Sequence, residues 1–292
     1  MLEIRAGELS VGLVPEIGGS MAYFRRGGID LMRPLSAEAL RSGNVLGVAM
    51  FPMLPYVNRI AGNAFTFEGR TYRFEANHPP ERFNVHGTGW HMPWRVEAVT
   101  ESEAVLGLAC LRPDEPYSYQ ATQRFRLMAD RLEVTTAITN RGERPMPFGF
   151  GQHPWFERNP DTILQFHAPQ FWLEGPDSIA TDPITTPPEL DFSTGGPLPT
   201  TWRNNDYGRW SGVAQIRYPS RGVGLRIEAD PVFKHLMFYA DPTQPYFCLE
   251  PQTHVVCAFN KTGQGLDADL GVIVLKPGEA TQGAMNFIPL SL

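Results

Sequence analysis

The sequence predicts an all-β protein, and three observations lead there. Glycine and proline are abundant, 28 and 27 of 292 residues, above the roughly 12% of average usage for the pair, and they are spread along the chain rather than pooled in one tail. Apolar and polar residues alternate with period two along many short runs. Helical periodicity is scarce, its best candidate being the short segment Ser36–Arg41.

The elements follow in chain order. Phe65, Phe67, Tyr72 and Phe74 sit on two short runs joined across Glu68-Gly69, a hairpin signal. In a second hairpin Phe125 and Leu127 alternate with polar neighbours, Ala129-Asp130 turns the chain, and Leu132, Val134, Thr136 and Ile138 resume the pattern. Gly175–Asn205 differs, being crowded with Pro, Thr, Ser, Asp and Gly, and reads as a long surface excursion, either functional or a tolerated insertion. A third hairpin, Ala214–Tyr218 with Val223–Ile227, turns at Pro219-Ser220-Arg221-Gly222. The runs His235–Ala240 and Tyr246–Glu250 complete the set. So many hairpins without intervening helices hide their apolar sides by packing face to face. The expected architecture is one large antiparallel β-sandwich with few short helices, residues 1–292 forming a single domain.

Charge narrows the partners. With 25 Lys and Arg against 31 Asp and Glu the net charge is −6, and no dense basic block is present to neutralise phosphates or anionic lipid, so neither nucleic acid nor membrane is an expected partner. Three cysteines, Cys110, Cys248 and Cys257, form no CxxC motif and no even disulfide framework. The N-terminal residues lack a basic flank followed by a long apolar run, which predicts a cytoplasmic protein. No HExxH, GxGxxG or GxxxxGK[ST] pattern occurs, so neither a metal nor a nucleotide cofactor is expected.

Four contexts are suited to chemistry. In Tyr56-Val57-Asn58-Arg59-Ile60, an Asn-Arg pair interrupts apolar sequence, where the arginine either forks onto an oxygen-rich ligand or makes a surface ion pair. In Asn84-Val85-His86-Gly87 the glycine permits a turn or close approach beside the histidine. His153 is followed by Pro154-Trp155-Phe156, a fixed imidazole beside aromatic rings that serve a sugar face or the core. In Tyr246-Phe247-Cys248-Leu249-Glu250-Pro251, strand alternation turns Phe247 and Leu249 to the core and Tyr246, Cys248 and Glu250 to the other face. Pro251 is expected to stop regular pairing, leaving Glu250 at the strand's end.

Together these residues carry a resemblance. Asn58-Arg59-Ile60, the Gly62–Phe74 hairpin, Asn77, Val85-His86-Gly87 with Trp94, His153-Pro154-Trp155-Phe156 and Leu249-Glu250-Pro251-Gln252-Thr253 resemble the aldose 1-epimerases, the galactose mutarotase family, in order and approximate spacing from about Leu13 to Phe287. The resemblance implies a galactose mutarotase-like supersandwich with a sugar cleft and neither metal nor organic cofactor. By motif, Arg59, His86, His153 and Glu250 fall on active-site positions, with Asn58 beside them. The family's sugar-binding aspartate matches Asp206 in Asn205-Asp206-Tyr207, or alternatively Asp191, which precedes Phe192. The segment Asn77-His78-Pro79-Pro80-Glu81-Arg82-Phe83-Asn84 departs from the glycine-rich approach of the better-known galactose enzymes.

The implied chemistry suits these groups. An aldose exchanges anomers when its C1 hydroxyl loses a proton and its ring oxygen gains one. A glutamate of ordinary pKa ~4.3 serves as base and a histidine of ordinary pKa ~6.5 as acid, the carboxylate favouring the imidazolium. Glu250 is expected as base and His153 as acid, with His86 and Arg59 holding the ring oxygen and hydroxyls, and Asp206 accepting from the sugar. The partner is then a small free sugar, and the protein a monomer or homodimer. Three rivals remain. A hexose-phosphate mutarotase would use cations such as Arg82 and Arg95, a carbohydrate sensor would keep the cleft without turnover, and a lyase or hydrolase usually needs a second carboxylate.

Overall fold

Where apolar residues alternate, the computed structural model forms sheet; it describes residues 1–112 and 115–292. The strands Tyr119–Leu127 and Leu132–Asn140 bury every second residue. They pair antiparallel from Tyr119 opposite Asn140 to Leu127 opposite Leu132, around the Ala129-Asp130 turn. Phe65 opposes Tyr72 in the first hairpin, where Glu68 and Gly69 both take the left-handed conformation that a two-residue turn needs. The third hairpin pairs Tyr218 with Val223 around Pro219–Arg221.

Among the described residues the chain forms an eleven-stranded and a nine-stranded sheet, with two small two-stranded ones, and every paired strand is antiparallel. The large sheets share one apolar core that joins Leu236, Phe238, Phe247 and Leu249 of the first to Phe125, Val134, Ile138 and Phe287 of the second. α-Helix is confined to three short pieces among those residues. One, Ala37–Ser42, fills the expected Ser36–Arg41 segment, with Ser36 Oγ accepting from the Ala39 N–H at 3.1 Å and Gly43 closing it in the left-handed conformation.

Five adjacent strands of the larger sheet matter for function. In spatial order they are Met50–Met53, Gly151–Glu157, Tyr246–Gln252, His235–Ala240 and Arg203–Gly208. They lack the half-buried pattern because both faces are covered. Phe247 and Leu249 enter the main core, whereas Cys248 joins a second cluster with Phe51, Trp90 and Trp155 on the opposite face.

Two expectations are corrected. Pro251 does not end its strand, since Leu236 opposes Pro251 and His235 opposes Gln252. A proline forfeits only its N–H, which in a ladder faces one neighbour, so pairing with the other continues. Glu250 therefore lies within the sheet. Nor is 175–205 only an excursion, because Ala180–Thr185 pairs as an edge strand with Gln170–Glu174, and Gly196–Pro197 pairs with Ile163 and Leu164 of the other sheet. Its Pro and Gly content reflects edge strands and the turns between them.

Candidate active site

The register of the five strands assembles a row of side chains. Gly151 opposes Gln252 and Trp155 opposes Cys248, so counting inward sets His153 opposite Glu250. On the far side His153 opposes Phe51, while Glu250 opposes Met237, and Met237 opposes Asp206. Two groups some hundred positions apart in sequence thus meet, with His153 Nε2 3.2 Å from Glu250 Oε1. Phe51 stacks beneath the His153 ring at 4.4 Å and meets His86 edge-on at 5.7 Å, bracing both imidazoles.

His86 arrives from a different part of the chain. Asn77 clamps its turn, donating from Nδ2 to the Val85 and Gly87 carbonyls at 2.9 and 2.8 Å and accepting from the Val85 N–H at 2.9 Å. Gly87 is required there, because at its positive φ a Cβ would lie 2.4 Å from Pro55 Cδ and 2.6 Å from the Leu54 carbonyl oxygen. The close approach is by backbone rather than by ligand. His86 itself has φ 57° and Asn58 φ 52°, and the two residues hold one another in these costly conformations. The His86 N–H donates to the Asn58 carbonyl at 2.9 Å, and the Asn58 N–H donates to His86 Nδ1 at 3.0 Å. Nδ1 is therefore an acceptor, which leaves the proton on Nε2 as a donor. Burial and the neighbouring His153 and Arg59 pull the His86 pKa well below the usual range, keeping it neutral.

A cavity of about 200 Å³ opens over this row, small against ordinary ligand pockets and suited to one small polar molecule. Asn58, Arg59, His86, His153, Trp155 and Glu250 all line it. Glu250 Oε2, His153 Nδ1 and Trp155 Nε1 are buried atoms without a hydrogen-bond partner, each costing about 1–3 kcal/mol unless a ligand satisfies it. A larger cavity of about 650 Å³, bordered by Arg70, Arg73, Arg112, Arg141 and Arg144, shares no lining residue with this one and lacks an acid–base pair. Chemistry rather than size selects the site.

The electrostatics differ from the sequence expectation. Burial, helped by Asp206, pushes the Glu250 carboxyl well above the usual carboxylate range. Burial pulls His153 down to about 3, with Arg33 adding to the fall. The expected preference for imidazolium beside carboxylate is overturned because both charged forms would be desolvated. Burial thus favours the uncharged form of each group.

Arg59 reaches the cavity but is committed, with Nη2 2.6 Å and Nε 3.0 Å from Glu81 Oε2 and Nη1 3.2 Å from Asn58 Oδ1. Glu81 belongs to the segment where the sequence departs from the family pattern. Trp155 is mostly buried, with one face covered by the Arg33 guanidinium at 4.3 Å, so it forms wall more than platform. Asp206 shares the row but does not line the cavity. It is 1% exposed and accepts from Gln252 Nε2 and from the Val256 N–H at 2.9 Å. Asp191 lies elsewhere, accepting from the Ser193 N–H at 2.8 Å and hydroxyl at 3.0 Å.

Several site residues escaped sequence reasoning. Met237 and Tyr239 line the cavity, and their alternation with Leu236 and Phe238 was the signal available. Ser178, Trp202 and Asn204 come from the long 175–205 segment, where no pattern marked them. His254 supports the site from behind, its Nε2 accepting from the Val57 N–H at 3.1 Å.

His153, Cys248 and Glu250 also form the one grouping among the described residues able to offer three metal ligands, their atoms lying within 4.8 Å of one another. Burial beside Glu250 holds the Cys248 thiol protonated, which opposes binding through sulfur because the thiolate is the ligand.

Burial pushes the Asp206 carboxyl up to about 7, only partly opposed by its two donors, from an ordinary value of 3.8. The folded protein therefore holds this proton to higher pH than the unfolded chain does. Stability is full below the unfolded value and declines as pH rises from about 4 to about 7. Asp206→Asn is expected to shrink the fall in thermal midpoint between about pH 5 and about pH 8. Unfolding scans of both proteins at the two pH values check this, and equal falls would contradict it.

Comparison with known proteins bears on the fold and the family. A family model described as aldose 1-epimerase matches residues 1–287. The protein named "Uncharacterized protein YphB" of Escherichia coli K12 is 34% identical over 281 residues, covering 94% of this chain and 93% of its own length. A crystal structure from Escherichia coli K12, named as a "putative aldose 1-epimerase", superposes with a TM-score of 0.91 at 31% identity, covering 99% of this chain and 98% of its own. A galactose mutarotase-like protein from Clostridium acetobutylicum shares the fold at a TM-score of 0.86 and 19% identity, covering 99% of this chain and 95% of its own. With the family model spanning residues 1–287 and a relative 34% identical along nearly all of both chains, this protein belongs to the aldose 1-epimerase family.

Proposed function

We propose that the protein interconverts the α and β anomers of a free aldose, without a cofactor, by opening and closing the sugar ring. The observation that carries this reading is the 3.2 Å approach of His153 Nε2 to Glu250 Oε1 on a wall of a cavity of about 200 Å³. The two oxygens that exchange protons, the C1 hydroxyl and the ring oxygen, are bonded to the same carbon. An acid and a base serving both must therefore be close neighbours, as these two are.

The steps balance with one shared proton. Sugar hydroxyls entering the cavity supply hydrogen bonds to Glu250 and His153, which favours passage of the resting proton from Glu250 to His153 and creates carboxylate and imidazolium. Glu250 takes the C1 hydroxyl proton, the C1 to ring-oxygen bond breaks, and His153 protonates the departing ring oxygen. Rotation about C1–C2 presents the other aldehyde face, and the same groups with reversed roles close the ring. His86 Nε2–H donates to a sugar oxygen, and Asn58 and Arg59 shape the rim beside it. Asp206, lacking access, contributes through the upward push it gives the Glu250 carboxyl.

Free sugars fit better than sugar phosphates. Arg82 is paired with Asp177 and Arg95 with Glu97, neither arginine lines the cavity, and Glu81 neutralises Arg59. A dianion would find no uncommitted cation among the lining residues. The expected result is faster exchange between anomers of free aldoses, read by exchange NMR on a panel of free and phosphorylated sugars. Exchange confined to the phosphates, or binding without exchange, would overturn the proposal.

A further inference from the structure

Trp202 stands out among the large apolar side chains. It is 46% exposed yet lines the same cavity as Glu250 and His153. Its position is fixed from two sides. The ring meets Tyr239 edge-on at 5.3 Å and 89°. Its Nε1 donates to Glu174 Oε2 at 3.4 Å, and the other oxygen of Glu174 accepts from Asn204 Nδ2 at 2.9 Å. One carboxylate from the strand next to the sheet's edge thus brackets two residues of the cavity wall. An indole pinned this way but left open to solvent forfeits burial, which is understandable where a ligand supplies the cover.

The surroundings indicate which ligand. Aromatic rings step outward from the acid–base pair, Trp155 lying 4.8 Å from His153, Tyr239 6.3 Å from Trp155, and Trp202 beyond it. Polar groups are interleaved, Asn204 beside Trp202 through Glu174 and Asn58, Arg59, His86 and Ser178 elsewhere on the lining. A flat apolar face flanked by amides and hydroxyls complements a pyranose, whose ring C–H groups lie on its faces and whose hydroxyls project from its edge. Trp155 offers no open face, being 7% exposed with Arg33 over one side of the ring.

We propose that Trp202 is the stacking platform of the sugar cleft, holding a pyranose by its C–H face while Glu250 and His153 act at C1. This deepens the anomer-exchange reading and rests on it. The 175–205 segment then has a functional task, the delivery of this ring together with Ser178 and Asn204.

Exchange NMR on Trp202→Ala and Trp202→Phe, across a range of free-aldose concentrations, tests the role. KM is expected to rise about tenfold in the alanine variant with kcat changed less than about threefold, and phenylalanine is expected to restore most of the loss. Sugar titration of Glu250→Gln is expected to change the intrinsic tryptophan fluorescence, and adding Trp202→Ala to remove that change. Unaltered KM and an unaltered fluorescence response in the alanine variants would overturn the platform while leaving anomer exchange intact. Absence of both exchange in the native protein and sugar binding to Glu250→Gln would overturn the anomer-exchange reading itself.

Discussion

Glu250→Gln is expected to slow anomer exchange by about 10²–10⁴-fold, the contribution of a positioned acid–base group. Glutamine keeps the shape but can neither accept the C1 hydroxyl proton nor hold the proton shared with His153. Sugar binding should survive, because His86, Asn58, Arg59 and the aromatic wall are untouched. Folding should survive as well, since the substitution removes an ionisable group that burial already keeps in its neutral form. The measurement is the exchange rate by NMR beside sugar affinity by titration. A rate within about threefold of the native one would remove Glu250 from the chemistry.

The pH dependence sharpens this test. The working pair holds one proton. Because Glu250 is raised, that proton is retained past the usual carboxylate range, and activity falls only when higher pH strips it away. Because His153 is lowered to about 3, a second proton enters only in strong acid. The native rate is therefore expected to show a plateau between an acid limb and an alkaline limb set by the raised carboxyl, both limbs belonging to the coupled pair. In Glu250→Gln the residual rate should lose the alkaline limb, while a simple change of packing would leave the profile's shape intact.

His153→Phe is the second large effect. Phenylalanine preserves the ring stacked on Phe51 but has no proton to give the ring oxygen, so exchange should again fall by about 10²–10⁴-fold. The decisive comparison is the double variant. Acid and base act on neighbouring oxygens in one step, so removing both should cost little more than removing one. Strict multiplication of the two losses, measured by the same NMR assay, would show independent roles and contradict the shared-proton account.

Much of the fold was legible in local pattern. The alternation through Phe125–Ile138, the Glu68-Gly69 turn and the opposite facing of Leu249 and Glu250 all reappear in the structure. A strand's two-residue period is a property of its own backbone. Pro251 misled because the consequence of a missing N–H depends on which neighbour it faces, and that is decided by sheet order. Asp206 could be placed by motif, but its withdrawal beneath Gln252 and Val256 depends on strands distant in sequence. The lining residues of 175–205 gave no periodic signal because Ser178 sits in a 3-10 turn, Trp202 in a loop and Asn204 near the start of a strand, with no run of alternation around them.

The sequence by itself determined the hairpins, their inward and outward faces, and the motifs that carry His153 and Glu250, since each of these is written in neighbours a few positions apart. Only the tertiary structure decided that His153 and Glu250 touch, that burial favours the uncharged form of each, that Glu81 occupies Arg59, and that Trp202 stands open at the cleft. Those outcomes depend on how distant strands pair and on how much water is excluded between them, and no short stretch of residues encodes either.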